Sequence, residues 1–329
     1  MTQTVFISRV VPQKGLDLIL NEPDLKAEIW PENLPPPRQV LLEKVRGVTG
    51  LYCLLTEKID DELLDAVGSQ LKVVSQMAVG YDNIDVAACT RRGIPVGNTP
   101  GVLTEATADL TMALLLGTAR QLIPAAEAVK AGRWQTWAPM GYTGPDVYGS
   151  VVGLIGLGRI GLAVARRLQG FKVRLLYHNR QPTPVAAEVG AVYVDLETLL
   201  AESDFVSLHC PLTPETTHLI NTARLRQMKP TATLINTARG PVVDQEALIE
   251  ALRNGVIAYA GLDVTTPEPL PADHPLLSLP NVTVLPHIGS ASISAREKMA
   301  TMAAENLLAG LKGERLPNCI NPVVYERSA

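Results

Sequence analysis

The sequence predicts an α/β protein with a doubly wound parallel sheet, preceded by a second, smaller α/β unit. Three observations predict it. Val151-Val152-Gly153-Leu154-Ile155 is a short apolar run rich in β-branched residues, as a strand buried on both faces would be. It leads directly into glycines at 156, 158 and 161, and then into a helical pattern over residues 162–168. Strand and helix patterns alternate on both sides of this stretch, and 329 residues exceed what one core usually holds.

Taken in order, residues 4–8 read as a strand and Pro12 opens a helix through residue 20. Pro35-Pro36-Pro37 makes 33–38 a rigid connection. Residues 40–45 read as helix, 50–55 as strand, 60–67 as a helix capped by Asp60, and 71–77 as strand. Pro95-Val96-Gly97-Asn98-Thr99-Pro100-Gly101 closes this unit. In the following helix, 102–120, Leu103, Ala106, Leu110, Ala113, Leu114 and Gly117 form an apolar stripe. Met112, Leu115 and Leu116 add apolar residues on other faces, so several sides need cover. The aromatic segment 134–148 reads as an excursion lying over something, a partner subunit included. Further strands are expected at 173–177, 205–209, 233–237, 258–263 and 282–285. With 151–155 they make the six main strands of a doubly wound sheet. A long helix is expected at 292–311.

Composition excludes several classes. With 47% hydrophobic and 19% charged residues the chain is globular. A net charge of −4 gives no electrostatic case for nucleic acid or an anionic membrane as partner. Cys53, Cys89, Cys210 and Cys319 are too scattered for a metal set and read as reduced thiols of a cytoplasmic protein, with no metal expected. Residues 1–8 lack a basic segment followed by an apolar core, which reads against a signal peptide. The uncharged run 274–295 is interrupted by three prolines and two histidines and does not read as a membrane span.

Strand, glycine turn and helix together give the context of a dinucleotide fingerprint. Gly156 permits the tight turn, Gly158 lets a pyrophosphate approach the backbone, and Gly161 lets helix pack on strand. The helix N-terminus then offers its unpaired N–H groups to phosphate. In such sheets ligands bind beyond the carboxyl ends of the strands. The residues emerging there are Gly156, His178-Asn179-Arg180, Cys210-Pro211, Arg239-Gly240, Asp263 followed by Glu268, and His287-Ile288-Gly289. Arginine, glutamate and histidine thus leave one sheet edge together. A guanidinium grips a carboxylate, an imidazole donates a proton near neutral pH, and a carboxylate stabilises the imidazolium. That set suits hydride transfer to a carbonyl beside a carboxylate. The other four histidines read as structural or solvated. About twenty residues past the glycine turn a 2′-hydroxyl is normally held by an acid. Here Asn179-Arg180 stands instead, so NADPH is expected over NADH, with NADH weaker.

The chain resembles the D-isomer-specific 2-hydroxyacid dehydrogenase family, and within it the glyoxylate/hydroxypyruvate reductase branch. The resemblance rests on Val79-Gly80-Tyr81-Asp82-Asn83-Ile84-Asp85, Leu103-Thr104-Glu105-Ala106-Thr107-Ala108-Asp109, Gly156-Leu157-Gly158-Arg159-Ile160-Gly161, Ile235-Asn236-Thr237-Ala238-Arg239-Gly240, Gly261 to Pro269, and Leu285 to Ala291. It implies two Rossmann-like domains, the smaller a discontinuous flavodoxin-like substrate domain. The substrate domain would span 1–99 and 289–329, and the dinucleotide domain, with a dimerisation helix, 100–288. It implies catalysis by Arg239, Glu268 and His287. The cofactor would be held by Thr104, the 156–161 turn with Leu157, Arg159 and Ile160, Asn179, Arg180, Cys210, Pro211, Thr237, Ala238, Asp263, His287 and Gly289. The substrate, a small 2-oxo or 2-hydroxy acid, would meet Leu55, Val79, Gly80, Arg239, His287 and Ser290, with Trp137 reaching a neighbouring subunit's pocket in a homodimer. Alternatives are a D-lactate, phosphite or phosphoglycerate type, or a nucleotide-sensing corepressor-like protein without catalysis. Against two of these, the phosphite branch tends to carry lysine where Val79 stands, and the phosphoglycerate branch an Asp where Asn179 stands.

Overall fold

In a computed structural model describing residues 3–326, the chain divides into two compact units, Met1–Leu103 with Ala291–Ala329, and Thr104–Ser290. The expected divisions at 99/100 and 288/289 thus move a few residues along the chain. The 98–99 turn is tied to the first unit by the bonds Asn98 N–H to Asn318 O and Thr99 N–H to Ala78 O. Gly289 is tied to the second, because its N–H donates to Asp263.

The first unit holds a parallel sheet of β1 (Gln3–Ile7), β2 (Leu25–Ile29), β3 (Gly50–Cys53), β4 (Val73–Gln76) and β5 (Val96–Gly97), in the order β2-β1-β3-β4-β5. This is the flavodoxin-like order. Asp60 caps the helix Asp61–Val67 by accepting from Leu63 N–H, as its sequence predicts. One sheet face is completed by the helix Ile293–Lys312, which the chain supplies last. Tyr52 Oη donates to Ala300 O at 3.3 Å and Ser75 Oγ to Ala303 O at 2.7 Å. A Cβ on Gly310 would stand 2.5 Å from Val73 Cβ, so glycine there sets how closely helix and sheet approach.

The second unit carries β6 (Val151–Ile155), β7 (Arg174–His178), β8 (Val192–Tyr193), β9 (Phe205–Leu208), β10 (Thr233–Asn236), β11 (Tyr259–Leu262) and β12 (Val282–Val284). All pair in parallel, in the order β12-β11-β10-β9-β6-β7-β8. The sheet therefore has seven strands and not six. The extra one, β8, is an edge pair of exposed residues too short to show a period. Alternate strand residues feed the two faces: Val206 and Leu234 pack with Leu199, Leu248 and Ile249, while Phe205 and Ile235 pack with Leu115, Val164 and Leu168. Burial on both faces explains the unbroken apolar runs.

The helix Thr104–Ala119 differs from its expected stripe. Its buried residues include Thr107, Ala108, Thr111, Leu114, Leu115 and Thr118, whereas Ala113 is exposed and Ala106 and Leu110 are half-buried. Three threonines share the buried face with Ala108, Leu114 and Leu115, and hydropathy counts threonine as polar. Among the described residues no helix is long and apolar enough to cross a membrane.

Candidate active site

Chain order reverses between β6 and β9, which are neighbours, and ligands bind such sheets at this reversal. The glycine turn sits there, and its three glycines meet three different surroundings. Gly156 has φ +101°, and a Cβ on it would lie 2.7 Å from the amide of Cys210. A Cβ on Gly161 would lie 2.1 Å from the Gly156 carbonyl oxygen. At Gly158 nothing comes within 4 Å, and no side chain caps the helix Arg159–Leu168 that starts there. Two glycines are thus required by packing, and the third leaves backbone open beside a helix N-terminus. This cradle fits a dinucleotide pyrophosphate. Leu157 turns its side chain into the core, and its N–H donates to Asn179 Oδ1 at 2.7 Å. Asn179 therefore braces the turn from the end of β7. Arg159 and Arg180 are exposed, Ile160 is half-buried, and Arg180 acts electrostatically on nearby Glu215. Cys210 is half-buried against the turn, and that desolvation raises its thiol to about 11, while Pro211 beside it is exposed.

Toward the other end of the same edge, β10, β11 and β12 deliver the candidate reactive groups. Arg239 follows β10 in extended backbone (φ −147°). Its carbonyl accepts from Asn236 Nδ2 at 2.9 Å, and its Nη1 donates to Ala238 O at 2.8 Å. Gly240 lets this turn press against the strand end beside it, because a Cβ there would lie 1.9 Å from Thr265 O. Asp263, after β11, is buried and accepts from Ile288 N–H at 2.8 Å and Gly289 N–H at 2.7 Å. Desolvation pushes its carboxyl above the usual range, held back by those two amides and the charge of His287. His287 lies in the left-handed region, φ +54°, and its N–H donates to Asp263 O at 3.0 Å. So Asp263 organises the backbone of 287–289.

The His287 Nδ1 and Glu268 Oε2 stand 2.9 Å apart, and Glu268 Oε1 accepts from Thr265 N–H at 2.9 Å. A carboxylate accepts, so Nδ1 donates and Nε2 is left to face a reactant. Burial alone would raise the Glu268 carboxyl. The bond from His287, its charge, the Thr265 amide and the Arg239 charge outweigh that and leave it lowered. A carboxyl held lower in the fold stabilises it above the unfolded value, about 4.3. That contribution disappears as pH falls through the folded value. Glu268→Gln is therefore expected to flatten the acid limb of a melting-temperature profile, losing less between pH about 5 and 3 than the parent. Asp263 titrates in both proteins, and losing the Glu268 charge, one cause of its raised value, only narrows the difference. A variant that falls as steeply as the parent would break the pairing.

Thr237 and Ala238 follow β10, and Thr237 Oγ1 meets Thr111 Oγ1 at 2.9 Å. Thr107 lies beside Gly289, its Cγ2 3.4 Å from where a Cβ would be. Thr107 and Thr111 were not anticipated. With Thr104, which opens the helix, they follow an i, i+3, i+7 spacing, one helix face readable in the sequence. Ser290, half-buried, ends this unit. Leu55, Val79 and Gly80 belong to the first unit, at the carboxyl ends of β3 and β4, and all three are half-buried. Trp137 is 79% exposed. Three of the other histidines find local roles. His178 Nδ1 meets Val194 O, His274 caps a short turn, and His209 pairs with Ser207 while burial lowers it to about 4. Among the described residues no group of three or more His, Cys, Asp and Glu is placed to hold a metal ion.

Residues 112–289 match the model of the D-isomer specific 2-hydroxyacid dehydrogenase NAD binding domain. A glyoxylate reductase of Korarchaeum cryptofilum is 50% identical over 328 residues, covering 99% of this chain and 98% of that one. A solved structure of a Thermus thermophilus protein superposes with a TM-score of 0.90 at 49% identity, covering 97% of this chain and all of the other. An NADPH-dependent glyoxylate/hydroxypyruvate reductase from Sinorhizobium meliloti, solved with NADP and malonate, is 34% identical with a TM-score of 0.85 and covers 98% of both chains. With the glycine cradle and the Arg239, Glu268 and His287 set in place, the chain belongs to the D-isomer specific 2-hydroxyacid dehydrogenase family of NAD(P)-dependent oxidoreductases.

Proposed function

We propose that this chain is an NADPH-preferring glyoxylate/hydroxypyruvate reductase, reducing a small 2-oxo acid to glycolate or D-glycerate. The observation that carries the reading is the Glu268–His287 hydrogen bond beside the Arg239 turn, in a chain half identical to a glyoxylate reductase. The nicotinamide cofactor, when bound, supplies the hydride. The chain's own residues do the rest. Arg239 grips the oxo acid and stabilises the negative oxygen that develops on its carbonyl. His287 delivers the proton to that oxygen from Nε2, while Glu268 orients the ring and stabilises its charged form. The Val79 and Gly80 amides hold the carboxylate, with Leu55 beside it. Thr104, Thr237, Ala238, Asp263 and Gly289 line the nicotinamide end, and the 156–161 turn with Cys210 and Pro211 the phosphates. Residues 1–103 with 291–329 are read as the substrate domain. NADPH oxidation followed by absorbance, with glyoxylate, hydroxypyruvate and pyruvate, tests the activity. Turnover of either of the first two supports it. Cofactor binding with no turnover on any of the three would leave the corepressor-like reading.

The preference for NADPH rests on Arg180, exposed at the end of β7 where an acid would repel a 2′-phosphate and Asn179 stands instead. Arg180→Ala is expected to raise KM for NADPH about tenfold and to change KM for NADH little. Equal effects on both would remove the argument. Free thiols at all four cysteines fit a cytoplasmic protein. A homodimer is supported by a run of exposed apolar residues along one stretch, Leu122, Ile123, Val129, Trp134, Trp137 and Met140. In it, Trp137 reaches the other copy's substrate site.

A further inference from the structure

Building on the reading that the Val79 and Gly80 amides hold the substrate carboxylate, we propose that Asn98 is the positioning residue that aims them. Neither amide has an acceptor among the described residues. Their directions are fixed all the same, because a peptide unit is planar and its C=O and N–H point opposite ways. The plane carrying the Val79 N–H also carries the Ala78 carbonyl, which accepts from Thr99 N–H at 2.9 Å. The plane carrying the Gly80 N–H also carries the Val79 carbonyl, which accepts from Asn98 Nδ2 at 2.9 Å. Two adjacent residues after β5 thus hold two successive carbonyls, and with them the two amides. Beyond them, Nε2 of buried Gln76 takes the Gly80 carbonyl at 2.5 Å.

Asn98 is itself held from behind. Asn306, wholly buried in the helix Ile293–Lys312, donates from Nδ2 to the Asn98 carbonyl at 2.9 Å and accepts the Asn318 N–H at 2.9 Å. Next to Asn98, a Cβ on Gly97 would come within 2.8 Å of Asn306 Cβ, so the turn lies tight against that helix. The backbone of Asn98 is therefore fixed by contacts its side chain does not make. Its side chain makes one bond to the protein among the described residues, as a donor. An aspartate of the same shape would set a negative oxygen against the Val79 carbonyl, and the peptide plane would rotate away.

Asn98→Asp and Asn98→Ala, assayed at saturating NADPH, test this. In both variants KM for glyoxylate is expected to rise about tenfold or more, kcat to fall by less than that, and the NADPH dissociation constant to stay within twofold of the parent's. If the aspartate variant does not fold, the alanine variant carries the test. An unchanged KM in a folded variant overturns the proposal, as does a general loss in which NADPH binding weakens as KM rises. Gly80→Pro, which removes one amide outright, separates this idea from the reading beneath it. If it raises KM and the Asn98 variants do not, the cradle stands and Asn98 does not aim it. If it leaves KM unchanged, the cradle itself falls.

Discussion

His287→Asn is expected to lower glyoxylate turnover by about 10²–10⁴-fold, the span that a positioned general acid contributes, while NADPH still binds. The choice of asparagine follows from the backbone. His287 sits at φ +54°, a region that asparagine tolerates better than most residues. Its N–H would still donate to Asp263 O, so the 287–289 segment keeps its anchor. What disappears is the proton at Nε2 and the partner of Glu268. Steady-state rates with a fluorescence titration of NADPH make the measurement. A variant that turns over near the parent rate would assign the acid elsewhere.

Arg239→Lys is the second large effect, with kcat/KM for glyoxylate expected to fall by about 10²–10³-fold. The positive charge remains, so the field that helps to keep Glu268 ionised is largely retained. The backbone is held independently, by Asn236 Nδ2 on the Arg239 carbonyl and by the close approach of Gly240 to Thr265. The change is thus confined to the head group, from a planar fork that makes two parallel bonds to a carboxylate into a single point charge. A lysine variant with the parent's kcat/KM would mean that charge alone suffices.

Most of the second unit is legible in the sequence because its signals are local. A buried parallel strand is an apolar run, a glycine turn follows, and the strand ends name Arg239, Asp263 and His287 in order. What escaped is short, half-exposed or distant in the chain. In β2, Lys26 and Glu28 alternate with half-buried residues on a sheet edge, and β8 is two residues long. Thr107 and Thr111 count as polar on a hydropathy scale, although a threonine buries its methyl. Asn98 fell within a stretch whose prolines and glycines mark it only as a boundary. Its partners, Val79, Asn306 and Asn318, lie up to 220 positions away. The return of the last helix to the first unit came from the family resemblance. No periodicity near residue 300 announces that Ala300 will lie 2.6 Å from a Cβ on Gly15.

That helix has a consequence for synthesis on the ribosome. Strands β1 to β5 are translated first, but the helix that covers Tyr52, Val73 and Ser75 comes from residues 293–312. The continuous unit Thr104–Ser290 emerges in between. At roughly 5–20 residues per second, the nascent first sheet keeps an apolar face open for about ten to forty seconds. The segment translated in the middle therefore has everything it needs to fold first, and the amino-terminal one finishes last.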